Sequence, residues 1–176
     1  MRLKFIKQED FVNYKKASMF LGTCFCDFKC CHEAGFPTSL CQNEPWSKEP
    51  IKQYDDTWLL NEFDSNPFVD AIVIGGMEPL KQFDELIDFL KIKKEHKSEK
   101  VNNADVVIYT GYYPNEIKEE LLCLREFPNI VMKYGRFIPN IENRFDPILG
   151  VNLASNNQYA EKLDNVNWSA EEWLSR

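Results

Sequence analysis

Five of the chain's six cysteines fall in one short stretch, "LGTCFCDFKCCHEAGFPTSLCQN" from Leu21 to Asn43: Cys24, Cys26, Cys30, Cys31 and Cys41. Thiols so crowded can form disulfides, bind zinc or hold an iron-sulfur cluster. The paired C-x-x-C knuckles of structural zinc do not occur in this sequence. Cys24 and Cys26 are expected not to face one site together, and the adjacent Cys30 and Cys31 are expected to face a similar conflict. One thiol from each pair plus Cys41 gives three ligands. Three thiolates on a four-iron cluster leave one iron open to a small molecule, whereas an electron-transfer cluster with four ligands offers no such position. A zinc site is the alternative, and His32 could then join it. Cys123, between Leu121 and Leu124, is expected in the core.

Two more loops carry residues suited to a site. In "GGMEPL", Gly75 to Leu80, the glycines permit a tight turn, Pro79 suits the start of a helix, and Glu78 is a polar group able to fix an amine. In "YTGYYP", Tyr109 to Pro114, Tyr109 and Thr110 are either strand-end packing or ligand contacts. Asn156 and Gln158 are polar turn residues, with a ligand or partner contact as the functional alternative.

The elements that position these loops follow from periodicity. Four apolar runs read as buried strands, each ending in glycine: Ala17 to Thr23, Val69 to Gly76, Asp105 to Gly111 and Asn129 to Gly135. Leu80, Phe83, Ile87 and Leu90 mark one amphipathic helix, and Ile117, Leu121 and Leu124 another. Ile51 to Phe63 is a weaker helix joining the first two strands. Alternating strands and helices predict an α/β fold with a mainly parallel sheet, whose sites form at the carboxyl ends of the strands. After Gly135 the pattern fades into loop with room for one more short element. Ser169 and Glu172 form a capping box for a short terminal helix.

Composition narrows the class. A chain of 176 residues is expected to form one compact domain, 1–176, able to bury a core without disulfide staples. With 44% hydrophobic and 28% charged residues it reads as a soluble globular protein. No apolar run is long enough for a bilayer, and the start lacks the apolar stretch of a secretory signal, so no membrane role and a reducing cytoplasmic location are expected. A net charge of -7 argues against nucleic-acid binding. The basic run Lys91 to Lys100, interleaved with glutamates, reads as a solvated helix end.

The motifs resemble a known family. "CDFKC" (Cys26 to Cys30) and "CQN" (Cys41 to Asn43) are similar to the radical S-adenosylmethionine motif C-x3-C-x2-C-[HQ]-N, with the second gap expanded to ten residues. "GGMEP" is similar to the turn by which that superfamily holds the amino group of S-adenosylmethionine. "YTGY" from Tyr109, "YGRFI" from Tyr134 and "LASNNQ" from Leu153 resemble segments of activating proteins for anaerobic ribonucleoside-triphosphate reductases, although Tyr134 stands where Asp is usual and Tyr159 where Arg is usual. The resemblance implies a partial (βα) barrel of radical SAM type. It also implies a 4Fe-4S cluster on Cys26, Cys30 and Cys41, with Cys31 as the rival of Cys30, and S-adenosylmethionine held by Gly75, Gly76, Met77 and Glu78 with Tyr109 and Thr110 nearby. The implied activity is that of a radical SAM oxidoreductase. It cleaves S-adenosylmethionine reductively and raises a glycyl radical on the large subunit of an anaerobic ribonucleotide reductase, with flavodoxin or ferredoxin as electron donor. The alternatives are another radical SAM enzyme acting on a small molecule or a different protein, and a non-enzymatic zinc or iron-sulfur electron-transfer module.

Overall fold

A computed structural model describes residues 1–163 of the chain. The strands are β1 (Arg2–Leu3), β2 (Phe5–Asp10), β3 (Ser18–Gly22), β4 (Lys52–Gln53), β5 (Ala71–Gly75), β6 (Asp105–Tyr109), β7 (Ile130–Tyr134), β8 (Arg144–Asp146), β9 (Val151–Leu153) and β10 (Tyr159–Lys162). The helices are α1 (Lys29–Ala34), α2 (Glu44–Ser47), α3 (Asp56–Ser65), α4 (Phe83–Lys94), α5 (Glu99–Asn103) and α6 (Lys118–Leu124). Among the described residues no helix is long and apolar enough to cross a membrane.

Six strands form one mixed sheet in the order β10-β7-β6-β5-β3-β2. The four expected strands are its centre, paired in parallel as β3-β5, β5-β6 and β6-β7. Their β-branched residues, such as Ile72, Val73, Ile74, Val106 and Val107, are buried on both faces, which explains the unbroken apolar runs. The edges β2 and β10 run antiparallel to their neighbours, and the sheet stays open between them.

Strand order advances in one direction from β3 to β7, so right-handed crossovers place every connecting helix on the same face. Leu60 and Phe63 of α3, Leu86 and Phe89 of α4, and Leu121 and Leu124 of α6 all pack in one cluster with Leu21, Ile72, Ile108 and Met132. The other face carries Phe20, Val73, Val107 and Val131, covered by Tyr14, Leu149 and Leu153. A doubly wound sheet would need a reversal of strand order, and this sheet has none.

Several expectations are corrected. The N-terminal residues form β1 and β2, a segment whose polar and charged residues gave no strand signal. The joining helix starts at Asp56, because the Asp55 carboxylate accepts from the Trp58 N–H at 2.8 Å and Lys52–Gln53 pairs with Arg2–Leu3. Among the described residues the region after Gly135 holds three short strands, tied together by Asp146, which accepts from the N–H groups of Ile148, Leu149 and Ala160, each at 2.9 Å. Cys123 lies on the exposed side of α6 and not in the core. Within the basic run Lys93 is buried, donating to the Asn102 carbonyl at 3.1 Å. The expected helix at Ser169 to Glu172 lies outside the described residues.

Gly22 ends β3 beside Gly75 of β5. The Phe5 ring from β2 occupies the space a Cβ at Gly22 would need. Gly22→Ala is therefore expected to lower stability by about 1–3 kcal/mol, seen as a lower urea midpoint. An unchanged midpoint would show that the ring has room to move.

Candidate functional site

The carboxyl ends of β3, β5, β6 and β7 open into one cavity of about 710 Å³. The cysteine loop forms one wall. Cys24 leaves it, because its N–H donates to Gln82 Oε1 at 2.8 Å and the side chain is buried outside the cavity near Arg2 and Glu85. Cys26 faces the cavity although a regular strand would put residues two apart on one side, because β3 ends at Gly22 and the chain beyond it is irregular. Cys30, Cys31 and Cys41 face it too.

The conflict expected between Cys30 and Cys31 does not arise, since both lie on α1 and not on a strand. Neighbours on a helix are about 100° apart, so both thiols reach the same space, with their sulfurs 3.9 Å apart. Gly35 ends α1 in the left-handed conformation at φ 69, and a 3-10 turn, Thr38–Leu40, returns the chain to place Cys41. His32 is exposed and does not line the cavity. Among the described residues no three His, Cys, Asp or Glu side chains gather around the position of one metal ion. The thiols instead line a common space, and thiolates that hold an iron-sulfur cubane bind its separate corners.

The thiols differ in acidity. The Cys30 thiol stabilises Cys41 as a thiolate, and the N–H groups of Asn43 and Glu44 add to this, so Cys41 sits well below the usual thiol range despite its burial. Cys30 moves the other way, raised first by that same contact and then by burial. Burial pushes Cys26 up to about 11, partly opposed by the Phe28 N–H, which donates to its sulfur at 3.3 Å.

The second wall comes from the turns after β5 and β6. Gly75 itself does not line the cavity; its carbonyl accepts from both the N–H and the hydroxyl of Thr23, at 2.8 and 2.9 Å. Gly76, at φ 84, turns the chain so that a Cβ added there would stand 3.5 Å from the Gly22 Cα. Met77 and Glu78 then line the cavity. Glu78 is buried, and its carboxylate accepts from the Gly111 N–H at 2.8 Å, the Thr110 hydroxyl at 2.9 Å and the Leu80 N–H at 3.2 Å. Burial dominates over these donors and raises Glu78 to about 7. Thr110 and Tyr109 also line the cavity, and the Tyr109 hydroxyl donates to the Asn13 carbonyl at 2.6 Å.

Two buried cations, beside the exposed Lys7, complete the lining and are not among the residues that the sequence points to. Lys133 of β7 is buried, donates to the Gly135 carbonyl at 3.0 Å, and is lowered by burial to about 8, with Glu78 and Cys30 opposing the shift. The signal was present: a lysine interrupts the apolar run "IVMKY" at a position a buried strand gives to an apolar residue. Arg136 is also buried and lines the cavity from the turn that follows. Gln158 lines it as well, donating to the Gly135 carbonyl at 3.1 Å, while Asn156 is exposed and stays outside. Tyr134 points to the helix-covered face, away from the cavity, with its hydroxyl buried and unpartnered among the described residues.

Comparison with protein-family models, with curated proteins and with solved structures found no match.

Iodoacetamide labelling at pH 7, read cysteine by cysteine as peptide masses on the reduced, iron-free chain, is expected to modify Cys41 before Cys24 and Cys26. Cys30→Ala removes the main stabiliser of the thiolate and is expected to slow Cys41. Faster labelling of Cys41 in that variant would mean that Cys30 shields it and does not activate it.

Proposed function

We propose that the chain is a radical S-adenosylmethionine enzyme that activates a partner anaerobic ribonucleotide reductase. The observation that carries this reading is the meeting of Cys26, Cys30 and Cys41 with Glu78 across one cavity, at the carboxyl ends of parallel strands. The donor set suits a cluster with an open iron: three thiols from one irregular loop, one of them already favoured as a thiolate. Cys31 is a fourth thiol beside Cys30 and stays its rival for the same corner. All crossover helices on one face of an open sheet fit a partial (βα) barrel. Six free cysteines suit a reducing cytoplasm.

When bound, a 4Fe-4S cluster supplies the one-electron reduction that breaks the sulfonium bond of S-adenosylmethionine and releases a 5'-deoxyadenosyl radical. The chain's own residues bind and orient. The ionised Glu78 carboxylate holds the amino group of the ligand, and the Lys133 ammonium attracts its carboxylate. Gly76 lets the backbone approach the ligand closely, because a side chain there would be strained at φ 84. The aromatic side chains of Phe5, Phe20, Trp46 and Tyr109 are part of the apolar lining and limit water near the radical. The hydrogen donor is a glycine of the partner reductase, and a flavodoxin or ferredoxin supplies the electron.

Anaerobic purification followed by iron and sulfide analysis tests the reading: about four irons and four sulfides per chain are expected. Cys26→Ala, Cys30→Ala and Cys41→Ala each lose them, whereas Cys24→Ala keeps them. With the reductase, S-adenosylmethionine and reductant, electron paramagnetic resonance is expected to show a glycyl radical. Stoichiometric zinc without iron overturns the reading, and 5'-deoxyadenosine formed without a glycyl radical points to a different substrate.

The charges also set a pH dependence. Glu78 ionises only as pH rises through about 7, and Lys133 keeps its proton until pH passes about 8. Affinity for S-adenosylmethionine is expected to rise as pH approaches 7 and to fall above 8. In Glu78→Gln the rise on the acid side disappears and binding weakens by roughly ten- to a hundredfold, the loss of one charge-assisted hydrogen bond. Calorimetric titration from pH 6 to 9 measures both, and an acid limb that persists in the Gln variant assigns it to another group.

A further inference from the structure

The segment between Cys30 and Cys41 is longer than the two-residue gap of the motif it resembles, and α1 occupies it. A helix of six residues does not hold itself together in water. Its start adds a cost: Phe28 precedes it at φ 53, in the left-handed region, and no side chain caps it. Something outside the helix must fix it.

We propose that Arg136 and Glu116 form a latch that positions α1, and so sets where Cys30 and Cys31 stand relative to Cys41. The fixed side of the latch is rooted in the fold. Glu116 Oε2 accepts from the Tyr113 N–H at 2.9 Å, Arg136 lies over the Tyr113 ring at 5.0 Å, and the Arg136 carbonyl accepts from Asn157 Nδ2 at 2.8 Å. Arg136 Nη2 joins Glu116 Oε1 at 2.5 Å. The positioned side is on α1. Lys29 Nζ reaches the same Glu116 oxygen at 2.5 Å, and Glu33 Oε2 stands 2.8 Å from Arg136 Nε as an ion pair without the alignment of a hydrogen bond. Lys29 and Glu33 flank the two cysteines in sequence, so the helix is gripped on both sides of them.

Exposure separates the roles. The Arg136 and Glu116 side chains are 7% and 21% exposed, so water screens their pairing less than it screens Lys29 and Glu33. Lys29 and Glu33, at 39% and 50%, are weakly held when taken singly. This less exposed pair is the anchor, and the more exposed partners set the position of the helix. Cys41 has separate supports, its N–H donating to the Thr38 carbonyl at 2.9 Å and its carbonyl accepting from the Glu44 N–H at 3.0 Å. The latch therefore moves one thiol set against the other.

The test follows iodoacetamide labelling of each cysteine in the full-length, reduced, iron-free chain. Releasing the latch separates Cys30 from Cys41 and is expected to change their rates in opposite directions. In Glu116→Ala and Arg136→Ala, Cys30 labels faster and Cys41 slower, each by roughly three- to tenfold. Cys24, held outside the cavity, keeps its rate. Arg136→Lys retains the charge and is expected to fall between. Plain loosening of the loop would instead speed Cys30 and Cys41 together. Wild-type rates, or that joint increase, overturn the proposal. To separate the latch from any effect on folding, Lys29→Ala with Glu33→Ala carries the same test on half-exposed residues, and unchanged rates there overturn it equally. Iron content is not read, so the latch and the cluster reading fail or stand separately.

Discussion

The buried carboxylate of Glu78 is the constraint on which the site depends. A carboxylate removed from water must be given hydrogen bonds, and here the donors come from different elements. The Leu80 N–H belongs to its own turn, and the Gly111 N–H and Thr110 hydroxyl belong to the turn after β6. The Glu78 N–H in turn donates to the Phe25 carbonyl at 2.7 Å, inside the cysteine loop. One residue thus joins the ends of β5 and β6 to the loop that carries the thiols. A shift in any of the three would leave a buried polar group unpaired, which costs more than the bond itself contributes.

This explains why close backbone approach recurs at the same level of the sheet. Gly22 meets the Phe5 ring, Gly75 accepts twice from Thr23, and Gly76 turns against Gly22. A Cβ added at Gly111 would stand 3.6 Å from Glu78 Oε2, an ordinary contact, so that glycine is not required by space in the same way. The tight packing belongs to the β3–β5 side, where the cysteine loop leaves the sheet.

The central strands and their helices were legible because burial on both faces selects continuous β-branched runs, and one-face burial selects a helical period. The three loops at the carboxyl ends were legible for the same reason, since strand direction alone places them together. What stayed hidden was held by partners far away in sequence. Strand β2 is an edge whose residues Lys7, Gln8 and Glu9 face solvent, so its alternation is weak. Strands β8 to β10 rest on the side chain of Asp146, a support that no local pattern reports. No local pattern reports the short helix that brings Cys30 and Cys31 together, because its partners Glu116 and Arg136 lie 86 residues and more downstream of Cys30.

The charge of the cavity adds a point that the net charge conceals. The chain carries -7 overall, yet Lys7, Lys133 and Arg136 line the cavity against Glu78 as its single carboxylate among the described lining residues. Lys7 is paired with Asp10, and Arg136 with Glu116 and Glu33, so the buried Lys133 is the lining cation left to face a ligand. Lys133 is placed to draw the carboxylate end of an amino-acid-like ligand. Glu78 lies across the same space with the opposite sign. The pair gives the cavity a direction, and a ligand with an amine and a carboxylate on one carbon is the simplest molecule that satisfies both ends. This supports the proposed ligand independently of the cysteines, since neither Glu78 nor Lys133 is needed to bind a metal.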